Sequence, residues 1–307
     1  MPSQENTFPI KIKASALNRV KQHGWLLDSL EESASAKFYD NLFSEHREIS
    51  APELYAEVKE RHATDGSDYR KMESIVRDLR TRLAEDAVVL ELGGGVHQNR
   101  SGNATHVFKQ YVPVDISRSS IRRYCETYDK PGVVADAADL PFDDNSADCV
   151  FTHTFLEHPL HPQKVLEEII RIVKPGGIVV HNDAWFCRWW QRYGIVGLKR
   201  FSSMSARERV IRVLAGISEV RLFRIPPIVF RRAWRMTICR NDATLDFNRL
   251  KPNYDLLLGC DEDAATSLDP IEVMRFYGLH GFDSLKQLTF CQMLLHPNDY
   301  IIVQKSR

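Results

Sequence analysis

The chain has 307 residues, enough for one large domain or two small ones, and its composition is that of an ordinary globular protein. Lys and Arg balance Asp and Glu at 41 each, so no global field draws it to nucleic acid or to a bilayer. Six scattered cysteines without a CxxC pair exclude a zinc ribbon, a thioredoxin-like site and a disulfide framework, and fit a reducing cytoplasm.

The first fifteen residues are polar and lack an apolar core, so no signal peptide is expected, and no apolar run approaches the ~18 residues of a membrane span. Residues 1 to about 10 read as a loose arm. From about Ala14 to Leu83, apolar residues recur at helical spacing, as in Leu17 and Val20, Leu26 and Leu30, then Ile75, Leu79 and Leu83. Ser50-Ala51-Pro52-Glu53 has the form of a helix start. Residues 1–86 are therefore expected to be an N-terminal helical cap without strands.

The rhythm changes at Val88. Predicted strands cover Val88–Leu92, Tyr111–Val114, Gly132–Ala135, Asp148–Thr152 and Gly177–Val180, with a helix from about Pro162 to Val173. After a long insertion come a helix at about Ile271–Leu279 and two further strands, Ser284–Phe290 and Tyr300–Val303, expected to close the sheet edge as an antiparallel pair. Strands alternating with helices predict an α/β fold with a doubly wound, mostly parallel sheet, built from residues 87–184 and 271–307.

The organising stretch is Val88 to Gly95. A buried β-branched strand ends in Glu91 and then Gly93, Gly94 and Gly95, where the absence of Cβ atoms lets a ligand approach the main chain. In open α/β sheets ligands bind at such strand ends. A dinucleotide turn requires a third glycine at position 98, which is Gln98, and no phosphate-loop Lys-Ser/Thr follows. Asp115 ends the second strand about twenty residues on, a spacing suited to a carboxylate accepting from ribose hydroxyls. Asp136 ends the third strand and can accept from an adenine amino group, with the backbone of Ala137 serving the ring nitrogens. A ligand with adenine and ribose but no pyrophosphate fits this set. The bland alternative for both aspartates is a helix N-cap.

These residues resemble the motifs of class I S-adenosylmethionine-dependent methyltransferases with a type 11-like core. Glu91-Leu-Gly-Gly-Gly95 is similar to the first motif of that family, and Val114-Asp115-Ile116-Ser117 to its ribose-binding strand end. Asp136 to Phe142, Asp148 to Phe151 and Leu156-Glu157-His158 are similar to its later motifs, and the run Leu166 to Gly177 is the most specific match. His97 departs from the glycine often found there. The resemblance implies a Rossmann-like seven-stranded sheet with an antiparallel last strand. It implies S-adenosylmethionine as cofactor, with S-adenosylhomocysteine as product. Glu91, Gly93, Gly94 and Gly95 would hold the methionine end, Asp115 and Ile116 the ribose, and Asp136 and Ala137 the adenine. His153 would lie near the transferred methyl.

A base is needed only where the acceptor must lose a proton on attack. Candidates on the loops after strands four and five are His153, His158, His181 and Asp183; histidine suits the task because its unperturbed pKa lies near 6.5. A metal held by Glu157-His158 and neighbouring groups is not expected, because the family's metal motif is incomplete at Thr154. The insertion, residues 185–270, is expected to be a helical lid that selects the acceptor. Its part 188–240 carries thirteen Arg/Lys against two Glu, interleaved with aromatics. Either this is a helical surface paired with the acidic remainder, or it meets an anionic or membrane-interface partner; no specific nucleic-acid module is recognisable. Residues 250–270 resemble a segment of methyltransferase-like proteins associated with surface polysaccharides, which points to a sugar hydroxyl as acceptor. Trp185, Tyr254, Asp261 and Asp263 are then candidate substrate contacts. A hydrophobic natural product methylated at carbon or oxygen, and a non-catalytic cofactor-binding scaffold, are the competing readings.

Overall fold

The computed structural model describes residues 8–18, 20–31, 33–43, 67–95, 104–193, 201–254, 262–295 and 300–307. Its centre is a sheet of nine strands: β1 (Lys21–His23), β2 (Leu26–Asp28), β3 (Val88–Leu92), β4 (Gln110–Asp115), β5 (Gly132–Val134), β6 (Ala147–His153), β7 (Val173–Asn182), β10 (Phe282–Ser284) and β11 (Ile301–Lys305). The order is β1-β2-β5-β4-β3-β6-β7-β11-β10. The run from β2 to β7 is parallel, and β11 and β10 close one edge antiparallel. Six of the seven strands expected from the sequence are present in doubly wound order, and the seventh, expected at Ser284–Phe290, is displaced to Phe282–Ser284.

Alternation along the central strands feeds two cores. Leu90 and Leu92 of β3 face helices α5 (Pro162–Ile172) and α8 (Pro270–Leu279), with Leu166, Ile169 and Phe276 packed there. Val89 points the other way, onto α2 (Ser67–Arg82) through Met72, Ile75 and Leu79. All five residues of β3 are buried, as a strand covered on both faces requires. The remaining helices are α1 (Ala34–Phe43), α3 (Ala104–Val107), α4 (Arg118–Tyr128), α6 (Ala206–Glu219), α7 (Arg221–Thr237) and α9 (Phe290–Leu295).

The N-terminal region departs from the helical cap expected. Residues 21–28 form a hairpin that turns at Gly24 (φ +59°), and β2 pairs in parallel with β5, extending the sheet to nine strands. Strands of three residues carry too little alternation to be recognised from sequence; they form because the β5 edge offers unpaired backbone groups. The arm is also anchored in part, since Lys13 N–H donates to Pro141 O and Asp143 N–H to Lys11 O. The segment Ser50–Glu53 lies outside the described residues. At the other end, Gly281 (φ +79°) stops α8 and starts β10 at Phe282, earlier than expected, and the stretch after the expected strand is a short helix over Phe290–Leu295.

The insertion is helical where its basic half is described, and α7 is turned inside out. Arg231 pairs with Asp246 at 2.5 Å, Arg232 with Asp269 at 2.8 Å, and Arg235 with Glu272 and Asp242, each at 2.7 Å. Arg232 also donates to Met293 O and Leu294 O. Three of the thirteen basic residues of the segment are thus paired with acidic residues that follow it in sequence. Among the described residues no helix is long and apolar enough to cross a membrane.

Arg232 and Asp269 are both buried, so the substitution Arg232→Met leaves a carboxylate inside with only the Ile271 N–H as partner. The expected cost is about 3 kcal/mol, read as a lower urea midpoint at unchanged m-value.

Candidate active site

The parallel strands β5, β4 and β3 end side by side, and their last residues define one edge. Gly93 takes φ +74°, and its N–H donates to Val114 O at 2.8 Å, folding the turn over the end of β4. A Cβ on Gly93 would stand 2.6 Å from the Phe155 ring, and one on Gly95 would stand 2.1 Å from Ser120 Oγ. Gly95 N–H donates to Asp115 Oδ2 at 3.0 Å, and Ser117 N–H to Asp115 Oδ1 at 2.8 Å. Glu91 is buried and accepts from the Tyr111 hydroxyl. Asp136, after β5, is exposed and accepts from Ala138 N–H at 2.9 Å. Two strand spacings separate the glycine turn from the end of β5, about 10 Å, the length of an adenosine.

Burial pushes the Asp115 carboxyl up to about 6, against the lowering effect of the Ser117 and Gly95 N–H groups and of the nearby His158. The N-terminus of α4 beside it is held from the N-terminal region. Asp40 accepts from Ser119 N–H at 2.6 Å and from Ser117 Oγ at 3.4 Å.

The loop after β6 is fixed by Asp183. Thr154 takes φ +48°, uncommon for a β-branched residue, and the next two N–H groups, of Phe155 and Leu156, donate to Asp183 Oδ1. Thr152 Oγ1 lies 2.6 Å from Asp183 Oδ2 and 2.7 Å from His181 Nδ1, and His181 Nε2 lies 2.9 Å from the Tyr277 hydroxyl. Thr152 donates to Asp183, which leaves its oxygen free to accept from His181 Nδ1–H. Burial would raise the Asp183 carboxyl, but the hydrogen bonds with His181 and Thr152 outweigh it and hold the group below its ordinary value.

Beyond this loop three distant segments meet. His158 Nδ1 lies 3.1 Å from Asp263 Oδ2, and His158 Nε2 lies 3.7 Å from Glu157 Oε1. The Tyr39 hydroxyl of α1 donates to Asp263 Oδ2 at 2.5 Å, and Tyr39 meets the His158 ring edge-on at 5.9 Å. Burial opposes ionisation of Asp263, but His158 and Tyr39 bring its carboxyl down to about 2. Phe38 packs on Tyr254 at 4.9 Å. Strand β9 (Thr266–Ser267), paired with β8 (Asn248–Arg249), is stitched to the loop: Ala265 and Thr266 N–H both donate to Glu157 O. Among the described residues no three His, Cys, Asp or Glu side chains are grouped to hold a metal ion.

The family described as a methyltransferase domain matches residues 90–181, from the glycine-turn strand to His181. The chain carries a class I methyltransferase domain. Curated relatives include a demethylmenaquinone methyltransferase of Clavibacter sepedonicus, 50% identical over 48 residues, covering 16% of this chain and 20% of that protein. A malonyl-[acyl-carrier protein] O-methyltransferase of a Marinomonas species is 31% identical over 110 residues, 33% of this chain and 39% of that one. A phthiotriol/phenolphthiotriol dimycocerosates methyltransferase of Mycobacterium tuberculosis is 25% identical over 149 residues, 43% of this chain and 55% of that one. The chain thus spans between a fifth and about half of these relatives.

The methyltransferase domain brings Glu91, the three glycines, Asp115, Ile116, Asp136 and Ala137 to one sheet edge, with His153 and His158 on the next loop. His153 is buried, with Nδ1 3.0 Å from Asn182 Nδ2. His181 is fully buried with Thr152 and Tyr277 at its two ring nitrogens, and Asp183 is buried and accepts from the loop N–H groups of Phe155 and Leu156. Trp185 lies in the main core, so its ring is accounted for without an acceptor. Asp263 and Tyr254 do reach the site, but Asp263 is engaged by His158 and Tyr39. Asp261, His97 and Gln98 lie outside the described residues. Sequence reasoning missed Tyr39, Asp40 and Phe155, because no motif or spacing in the sequence singles them out.

Because the folded state raises the Asp115 pKa above its ordinary 3.8, the folded protein keeps a proton that the unfolded chain releases between about pH 4 and 6. This contribution to stability is complete below that window and is lost as pH rises through it. Relative to Asp115→Asn, the natural protein should lose roughly 2 kcal/mol between pH 4 and pH 7 in urea unfolding.

Proposed function

We propose that this chain is an S-adenosylmethionine-dependent methyltransferase that acts on a hydroxyl group, with His158 as the acceptor's base. The observation that carries the cofactor half is the alignment of the glycine turn, buried Asp115 and exposed Asp136 at three neighbouring strand ends. The donor set suits the cofactor: glycine backbone for the amino-acid end, a carboxylate for two ribose hydroxyls and a second one for an adenine amine. Glu91 steadies the turn through Tyr111 rather than reaching the ligand itself.

The sulfonium supplies an already activated methyl group, so the residues here have to orient the acceptor, exclude water and remove a proton. His158 suits the last task by position. It lies on the loop that leaves β6 at the cofactor edge, and it meets Asp263 of the insertion and Tyr39 of α1. Asp263 Oδ2 lies 3.1 Å from Nδ1, and Tyr39 fixes Asp263. A carboxylate at that distance stabilises the charge the imidazole gains on taking a proton. Nε2 is then the nitrogen that takes the proton, with Glu157 beside it.

A sugar hydroxyl is supported by the tilted aromatic pair Phe38–Tyr254 beside Tyr39, which offers apolar ring surface for a sugar. A hydroxyl on an apolar acceptor is the second reading, supported by the relative that acts on phthiotriol dimycocerosates.

Calorimetry with S-adenosylhomocysteine should give saturable binding that Asp115→Ala weakens about tenfold or more, the loss of one charged hydrogen-bonding partner. No binding at millimolar ligand overturns the cofactor assignment. Transfer of radiolabelled methyl to a panel of nucleotide sugars, glycans and long-chain alcohols identifies the acceptor class. With an acceptor in hand, His158→Gln should lower kcat about a hundredfold at unchanged S-adenosylhomocysteine affinity; an unchanged kcat removes the base assignment.

A further inference from the structure

Helices α6 and α7 form a hairpin whose outward surface is apolar. On α6, Val210, Leu214 and Ile217 fall on one helix face, and each is about half or more exposed. On α7, Phe223, Phe230 and Trp234 lie on one face that continues into Ile238, and Phe230 is 70% exposed. The Phe230 and Trp234 rings stack at 6.4 Å. Leu222, in the first turn of α7, is 72% exposed. Apolar surface of this extent on a folded chain marks a place that something else covers.

The hairpin cannot hide this surface by rotating. The opposite face of α7 is tied down by Arg231, Arg232 and Arg235 through their ion pairs with Asp246, Asp269 and Glu272. Turning the aromatics inward would carry these guanidinium groups away from their carboxylates, at the cost of stranded buried charges.

The charge around the stripe has one sign. Arg207, Arg209 and Arg221 are exposed on the hairpin, and Arg240 is exposed just beyond it. The hairpin's two carboxylates are engaged locally. Glu208 closes a capping box with Ser205, and Glu219 pairs with Arg188 and Arg224. A two-fold pairing with a second copy would lay this cationic face against itself. A bilayer with anionic headgroups offers both an apolar layer for the rings and phosphates for the guanidinium groups.

We infer that the α6–α7 hairpin is a docking surface for an anionic lipid bilayer. Phe230 and Trp234 enter the headgroup boundary, and the arginines at its rim meet lipid phosphates. Docking of this kind does not depend on methyl transfer and is read without turnover.

Co-sedimentation of the full chain with vesicles of phosphatidylcholine alone, or mixed equally with phosphatidylglycerol, tests it. The expected result is binding to the mixed vesicles, much weaker binding to phosphatidylcholine, and release in high salt. F230S/W234S should weaken binding about tenfold or more with an unchanged circular dichroism spectrum. R221E/R240E, which leaves the apolar stripe intact, should weaken it in the same direction. Absence of binding to both vesicle types, or equal binding to the two, overturns the inference. So does a stable dimer in light scattering that F230S/W234S dissociates.

Discussion

The site depends on carboxylates that end buried strands and must be satisfied by the loops that follow them. Asp115, at the end of β4, gathers the N–H groups of Gly95 and Ser117 and so fixes the glycine turn and the start of α4 together. Asp183, just past β7, gathers the N–H groups of Phe155 and Leu156 and so fixes the loop that carries Glu157 and His158. Each removes a polar group from water and replaces its hydration with backbone donors, which leaves little freedom in where the loops go. The left-handed Thr154 is the visible result: a conformation that a free loop would avoid is held because Asp183 engages the next two residues.

The methyltransferase core was legible because its signals are local. Val88–Leu92 is a β-branched run followed by glycines, and the strand observed has the same bounds. The order of the core strands follows from the alternation of strand and helix. The hairpin at 21–28 was not legible, since three-residue strands exist through pairing with β5 and not through their own pattern. Histidines were the hardest case. His158 and His181 look alike in sequence, and what separates them is depth: one ring is partly exposed between two carboxylates, and the other lies between Thr152 and Tyr277. The role of the basic segment was half legible. Its composition announced charge, but three of its arginines turn inward and the aromatics outward, the reverse of the usual amphipathic helix.

The family match ends at residue 181, and the acceptor side is assembled largely from outside it. Tyr39 comes from α1 and Asp263 from the insertion, and both converge on His158 within the matched region. The glycine turn, Asp115 and Asp136 thus lie inside the matched region, whereas Tyr39 and Asp263 lie outside it. This division matches the general expectation that function resides in sites grafted onto a shared scaffold.

The contact between Tyr39 and Asp263 joins residues 224 positions apart. It also sets an order of assembly. In a chain emerging from the ribosome, β3 to β7 are made before residue 263, so Asp263 can join Tyr39 and His158 only late in synthesis. Long-range closure of this kind slows folding.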